Sequence, residues 1–525
     1  MSAQSIIERI TPAFLRRHLA GVEHSMIRSR LAQGAFWSVL GTGMARGLAV
    51  LATILVARIL HKEGFGEFGM ILSTVGMFQV FAGFGMGLTA TKYVAEFRRT
   101  DPAKAGRVLA MSRMVALVGG FLAATVLLAA APWLATHTLA NPGLSGLLQV
   151  SSILLLLGAV NAEQNGALAG FEAFRQIMHI NLIAGLLSFP LLALGAYWFG
   201  LEGAVWGSVG SMAVNAALNH RAIVAAARGA AVPLPAWGGG SEWRILWRFS
   251  VPAVLSGVMV GPVLWACNAI LANQTGGYAE LGAYNAVLRL KQFPEMVLGA
   301  LLGPLLPILC DQFGRNDVLG YGKTLSGAYL VSCMVVAPLA LLFVAAPEIL
   351  LLPYGQTFAG YENVVRWLTL HLAIVAIAMP ISSVLASMGH MWFGFLFNAS
   401  WAAVLLALSL LLVPRYGAAG LAAAVSLAQL LTGIPCFVYL YLFRRQYQGG
   451  YPFYRMAAIV MGLFAITAAV SCRASHGGGL IACGVSIVVL CAVAYRVFRR
   501  RRRGVLAAES PEVPRPLAAN TRDEG

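Results

Sequence analysis

Phe199-Gly200-Leu201-Glu202-Gly203-Ala204 returns as Tyr416-Gly417-Ala418-Ala419-Gly420-Leu421, an offset of 217 residues. Asn181 and Asn398 share that offset. Upstream, Gly66-Glu67-Phe68 falls on Gly282-Ala283-Tyr284 at an offset of 216, and Trp37-Ser38 on Phe249-Ser250 at 212. Any one match is weak in a chain this rich in glycine and apolar residues. A nearly constant offset at four separated places marks an internal repeat. Each copy, over 35–221 and 249–441, has room for six membrane spans. Six is even, so both copies enter the membrane from the same side. The expected relation between them is a rotation about the membrane normal, as in parallel-repeat transporters.

The spans themselves follow from composition. Of 525 residues, 59% are hydrophobic and only 11% are charged. A soluble domain carries about 25% charged residues, so this chain cannot clothe itself in a polar surface. Its 57 glycines and 22 prolines are tolerated in membrane helices. A crossing helix needs about 20 mostly apolar residues. Such runs lie near 35–56, 66–90, 108–131, 146–169, 178–199 and 202–221, then 249–271, 281–308, 324–346, 364–388, 393–413 and 417–441. A further pair near 453–471 and 478–495 lies outside the repeat. The expected fold is therefore an all-α polytopic membrane protein with about 14 transmembrane helices: two parallel six-helix repeats and two C-terminal helices. The polar stretches are an N-terminal segment over 1–34, a linker over 222–248, and a basic tail over 496–525 that reads as disordered.

The net charge of +17 would suggest nucleic acid in a soluble protein. Here its placement gives orientation instead. With the N-terminus in the cytoplasm, 28 of the 37 Lys and Arg residues fall in cytoplasmic segments and 4 in outer loops. That asymmetry puts both termini inside. The run Arg499 to Arg503 directly after the last span reads as an anchor on anionic lipid.

Five cations remain within the spans: Arg46, Arg113, Arg289, Lys291 and Arg366. A charge at mid-membrane costs about 2.5–3.5 kcal/mol on insertion scales, so it marks function unless it can reach the interface. Arg113 and Arg366 lie near span ends and can snorkel. Arg46 sits mid-span in Gly41-Thr42-Gly43-Met44-Ala45-Arg46-Gly47, with glycines leaving space around it. Arg289 and Lys291 lie eight and ten residues into the eighth span, with Glu295 one turn beyond Lys291. Excess cations favour an anionic ligand, and arginine forks fit phosphate oxygens. Arg46, Arg289 and Lys291 are thus the candidate ligands of a phosphate group. Glu163 and Glu295 are the candidates for ion coupling.

Prolines crowd the seventh and eighth spans at Pro252, Pro262, Pro294, Pro304 and Pro307, which makes them candidate moving parts. Two motifs carry no chemistry. Gly83-Phe84-Gly85-Met86-Gly87 lacks the βαβ setting of a dinucleotide loop. Gly322-Lys323-Thr324 ends like a phosphate loop, but the required earlier glycine is Asp317. The seven cysteines form no CxxC pair. No cofactor, metal site or catalytic triad is expected.

Gly34-Ala35-Phe36-Trp37-Ser38, Ala57-Arg58-Ile59-Leu60, Gly64-Phe65-Gly66-Glu67-Phe68-Gly69, and Gly83 to Leu88 followed by Lys92-Tyr93 together resemble the Wzx-type polysaccharide and O-antigen flippases of the multidrug/oligosaccharidyl-lipid/polysaccharide (MOP) superfamily. The resemblance covers roughly 30–445. It implies two six-helix bundles in a V around a central cavity. It also implies export of an undecaprenyl-pyrophosphate-linked oligosaccharide from the cytoplasmic to the periplasmic leaflet of a bacterial inner membrane. In the related peptidoglycan-precursor flippase, arginines of the first and eighth helices face the pyrophosphate; Arg46 and Arg289 lie on those helices here. Trp37 and Tyr284 would be sugar contacts. Implied partners are the lipid-linked glycan, membrane lipids, a polymerase and glycosyltransferases, with no nucleic acid. A cation-coupled multidrug exporter shares the fold and stays open as an alternative, as does a polytopic polymerase or ligase.

Overall fold

The computed structural model describes residues 26–235, 260–388, 391–443, 461–467, 469–470 and 482–489, with backbone alone for 26–46, Ala300, 391–392 and 436–443. Among the described residues there are helices and no strands. Eleven of the helices carry the architecture: α1 Met26–Ala82, α2 Met86–Phe97, α3 Pro102–Trp133, α4 Ser145–Gly170, α5 Phe174–Gly229, α6 Val260–Ala272, α7 Gly277–Leu302, α8 Leu305–Gly314, α9 Val318–Ala345, α10 Glu362–Ser387 and α11 Met391–Phe443.

Three of these are too long to be one span. A straight 56-residue helix such as α5 would reach about 84 Å, nearly three times a bilayer core. Each is broken at one residue: α1 at His61 (φ 56°, ψ −178°), α5 at Gly200 (φ 58°, ψ −134°) and α11 at Gly417 (φ 53°, ψ −131°). Positive φ is open to glycine because it has no Cβ. Past Gly200 the chain doubles back, so that Gly203 lies on the Gly195 backbone and Gly207 on that of Leu191. Past Gly417 the same thing happens, with Gly420 on Leu412. Those two turns stand 217 residues apart and have the same backbone angles. Glu280 closes the second one: its carboxylate accepts from Ala418 N at 2.8 Å and from the Tyr361 hydroxyl at 3.1 Å. The Ala418 amide would otherwise be one of the unpaired donors at a helix start.

By length and composition, six described helices can cross a membrane, or seven if α2 is joined to the α1 segment bent 45° from it. Because α5 and α11 each fold in two, these carry more spans than helices. α5 continues through Gly229, beyond the 221 expected from hydropathy. α7 passes through Pro294 without interruption and stops at Leu302, where Gly303 and Pro304 separate it from α8. Asp317, the residue that spoils the phosphate-loop pattern, is the N-cap of α9; its carboxylate accepts from Gly320 N at 2.8 Å.

The halves meet at one end. The main core joins Val56, Phe65, Met70 and Ile71 from the first half to Leu281, Tyr284, Tyr354 and Phe358 from the second. Phe65 rests against Tyr354 and Phe358, with ring centroids 6.4 Å away in each case. At the seam, a Cβ on Gly66 would overlap the Tyr278 carbonyl, and one on Gly282 would overlap the Lys62 carbonyl. The contact is reciprocal at the repeat offset of 216, as it is across a two-fold axis. Hydrogen bonds flank it in the same reciprocal sense. Arg58 Nε donates to Pro353 O at 2.6 Å, and Asn273 Nδ2 to Thr138 O at 2.7 Å. Away from this end the apolar clusters belong essentially to one half each. One joins α3 and α4; another joins α8, α9 and α10. The halves are thus fastened together at the His61 and Gly276 end.

Candidate functional site

Between α1 and α7 lies a partly open cavity of about 70 Å³, lined by Ala49, Val50 and Thr53 of α1 and Arg289, Gln292, Phe293 and Met296 of α7. The α7 set is spaced i, i+3, i+4, i+7, which is one face of a helix. Arg289 therefore stands on the wall between the two halves. Phe293 is 43% exposed, an aromatic face open to the cavity. Ala49, Val50 and Thr53 follow Arg46 at i+3, i+4 and i+7, so Arg46 shares their register on α1. The side chains of Arg46 and Trp37 lie outside the described residues. Around Gly47, next to Arg46, nothing lies within 4 Å of where a Cβ would stand.

Lys291 does not line the cavity. It is buried, and its Nζ stands 2.8 Å from Glu295 Oε1 and 2.8 Å from His371 Nδ1 of α10. Glu295, expected as an ion-coupling group, is thereby its partner. Tyr284, expected at a sugar face, is 3% exposed and packed in the main core. Glu163 of α4 is fully buried inside the first half, away from the cavity. Neither carboxylate oxygen has a hydrogen-bond partner among the described residues. Arg113 is the charged group that acts on it.

The structure thus brings Arg289 to the cavity and removes Lys291 and Tyr284 from it. Sequence reading missed Gln292, Phe293, Met296 and His371. The first three were accessible by extending the helical face of Arg289. His371 carries no such signal, since its partner lies 80 residues away in the chain.

The model for polysaccharide biosynthesis proteins matches residues 31–312. Among curated relatives, the chain is 24% identical over 398 residues to the EPS I polysaccharide export inner membrane protein EpsE of Ralstonia nicotianae, covering 74% of this chain and 90% of that one. It is 24% identical over 296 residues to the lipid III flippase of Escherichia coli, covering 55% of this chain and 69% of that one. These relatives are transporters, not enzymes, and EpsE is an inner-membrane protein. Among solved structures, an inward-facing multidrug resistance MATE family transporter of the MOP superfamily superposes with a TM-score of 0.64 at 16% identity, covering 81% of this chain and 98% of that one. The outward-facing form gives a TM-score of 0.55 at 14% identity, over 79% and 95%. The likeness shows that the fold is that of a MOP-superfamily transporter, as the sequence led us to expect. With its family model spanning more than half of the 525 residues, the chain belongs to the polysaccharide biosynthesis protein family.

Proposed function

We propose that this protein is a flippase that carries an oligosaccharide linked to undecaprenyl pyrophosphate from the cytoplasmic to the periplasmic leaflet, in surface-polysaccharide biosynthesis. The observation that carries the reading is Arg289 on the wall of a cavity shared by α1 and α7. Arg289 and Arg46 hold the pyrophosphate, because a planar guanidinium presents paired donors to phosphate oxygens. Phe293, and Trp37 on the facing helix, offer stacking faces to the first sugars, while the lipid tail stays in the bilayer. Tyr284 reaches a sugar only if the Gly66–Gly282 seam parts. Lys291, tied to Glu295 and His371, adds charge behind the wall. Glu163, a buried carboxylate without a hydrogen-bond partner among the described residues, is the candidate for ion coupling in the first half. A drug cation fits such a wall poorly, since the guanidinium repels it.

The mechanism is alternating access between two lobes, 35–221 and 249–441, related by rotation about the membrane normal. The recurrence of the Gly200 turn at Gly417 and the reciprocal Gly66–Gly282 contact support that relation. The fastened end lies opposite the basic cytoplasmic side, so the cavity faces inward and the head group enters from the cytoplasm. The segment 453–495, most of which lies outside the described residues, is an appendage to the repeat, and both termini are cytoplasmic. A polymerase and glycosyltransferases act before and after the step.

The test is glycan export in a strain lacking its own flippase, with membrane abundance followed in parallel. A charge-assisted hydrogen bond contributes about 1.5–3 kcal/mol, so Arg289→Ala and Arg46→Ala each cut export roughly tenfold to 150-fold. The lysine substitutions keep part of it. Full export by both alanine variants at normal abundance refutes the pyrophosphate reading.

A further inference from the structure

Behind the cavity wall, Lys291 is 6% exposed in its side chain, His371 12% and Glu295 22%. A lysine this deep in a membrane helix is costly unless its donors are engaged. Here they are. Nζ meets Glu295 Oε1 at 2.8 Å and His371 Nδ1 at 2.8 Å. An ammonium has only donors to offer. His371 Nδ1 is therefore the acceptor, and the neutral ring carries its proton on Nε2. The same Glu295 Oε1 stands 3.8 Å from His371 Nδ1, one small movement from a second hydrogen bond.

We propose that Lys291, Glu295 and His371 form a proton site that loads together with the pyrophosphate head group. The inference rests on the function proposed above. A proton arriving from cavity water past half-open Glu295 takes the lone pair on His371 Nδ1. The Lys291–His371 hydrogen bond breaks, and the new Nδ1–H turns to Glu295 Oε1. Lys291 keeps its own bond to that carboxylate. No other bond changes, and the cluster gains one positive charge.

The cluster adjoins the anion site. Glu295 lies three residues after Gln292 and one before Met296, at the edge of the cavity-lining face of α7. Arg289 and Lys291 are two residues apart on α7, about 3 Å along the helix axis, and His371 is hydrogen-bonded to Lys291, so a pyrophosphate at Arg289 is on the order of 10 Å from the imidazole. At an effective dielectric near 20, one unit charge at that distance changes proton binding roughly tenfold. The extra positive charge strengthens anion binding by the same factor, because the coupling is reciprocal.

Among the described residues, the charged groups on α8, α9 and the short helix Glu348–Leu351, which also pack against α10, are Asp311, Lys323 and Glu348. In α9 the titratable groups are Tyr321, Lys323, Tyr329 and Cys333, and the two tyrosines pack with Val384, Leu385 and Met388 near the far end of α10. α8 supplies Asp311, paired with Arg315. Residues 391–414 of α11 contain no titratable side chain. On α10 itself, Arg366 donates to Asn363.

Calorimetric titration of the full-length protein in detergent tests this, with inorganic pyrophosphate and undecaprenyl pyrophosphate as probes in two buffers of different ionisation enthalpy. The expected result is uptake of up to about half a proton per bound ligand, the most that a tenfold coupling allows. Affinity should rise as pH falls, by about tenfold in total. His371→Gln should keep only the pH dependence and proton exchange of the probe's own phosphate groups, so the native protein should take up more protons per bound probe than the variant. Equal proton uptake and equal pH dependence in the native protein and His371→Gln overturn the proton site and leave the flippase reading standing. Failure of the native protein to bind either probe overturns both. One arm needs no ligand. In the ¹⁵N-histidine spectrum at pH 7, the signal that His371→Gln removes should be that of a neutral ring with a bare Nδ1. A ring protonated on Nδ1 overturns the assignment.

Discussion

Gly282→Ala should unfasten the closed end. A Cβ at Gly282 would overlap the Lys62 carbonyl oxygen and stand 2.9 Å from its carbon and 3.1 Å from Gly66 N, where ordinary contact begins at about 3.4 Å. All three atoms are backbone, so no side chain can swing away. The two helices have to part. Overpacking of this kind costs about 1–3 kcal/mol, which changes the ratio of closed to open forms roughly five- to 150-fold. The companion Gly66→Ala should do the same, and the double variant should cost less than the sum, because both open one seam. The readout is a disulfide across the seam. Asn268 Nδ2 donates to Ser73 Oγ at 2.9 Å, so Ser73→Cys with Asn268→Cys, in a background lacking the native cysteines, should cross-link in the closed form. Gly282→Ala should lower that yield and alter export. Gly76→Ala is the control, since nothing lies within 4 Å of its added Cβ. If Gly282→Ala cross-links and exports as its parent does, the glycine crossing does not hold the halves together.

Three further outcomes follow from particular residues. Gly200→Ala and Gly417→Ala each force a side chain into positive φ, a strain of about 1–3 kcal/mol. Gly417→Ala should lower the melting temperature further, because its Cβ also lands 2.6 Å from Glu280 Oε2, the oxygen that caps Ala418. Asp317→Ala removes the cap of α9 and should cost about 1 kcal/mol of stability; Asp317→Asn should retain most of it, and equal melting temperatures for the three proteins would rule out the cap. A periplasm-only reporter fused after Arg503 should stay silent, and its activity would overturn the orientation read from the charges.

Hydropathy, charge and repeat spacing were enough to establish a helical membrane transporter, because the bilayer imposes span length and apolarity locally along the chain. The Gly200 and Gly417 turns were legible for a related reason: glycine advertises a backbone that other residues avoid. The break near His61 was legible as the gap between the apolar runs 35–56 and 66–90; that the chain turns there on a histidine at positive φ was not, since nothing in a histidine foretells that conformation. Arg289 could be singled out by depth alone, as a charge far from either interface needs a purpose. Its surroundings could not. Whether Lys291 faces the cavity or the protein depends on His371, which the fold of α10 against α7 brings to it from 80 residues away. Tyr284 looks the same in sequence as an aromatic lining a cavity. It is buried because the two halves close over it. A single chain records what each helix needs from its solvent; which side chains meet across helices is decided only when the helices pack.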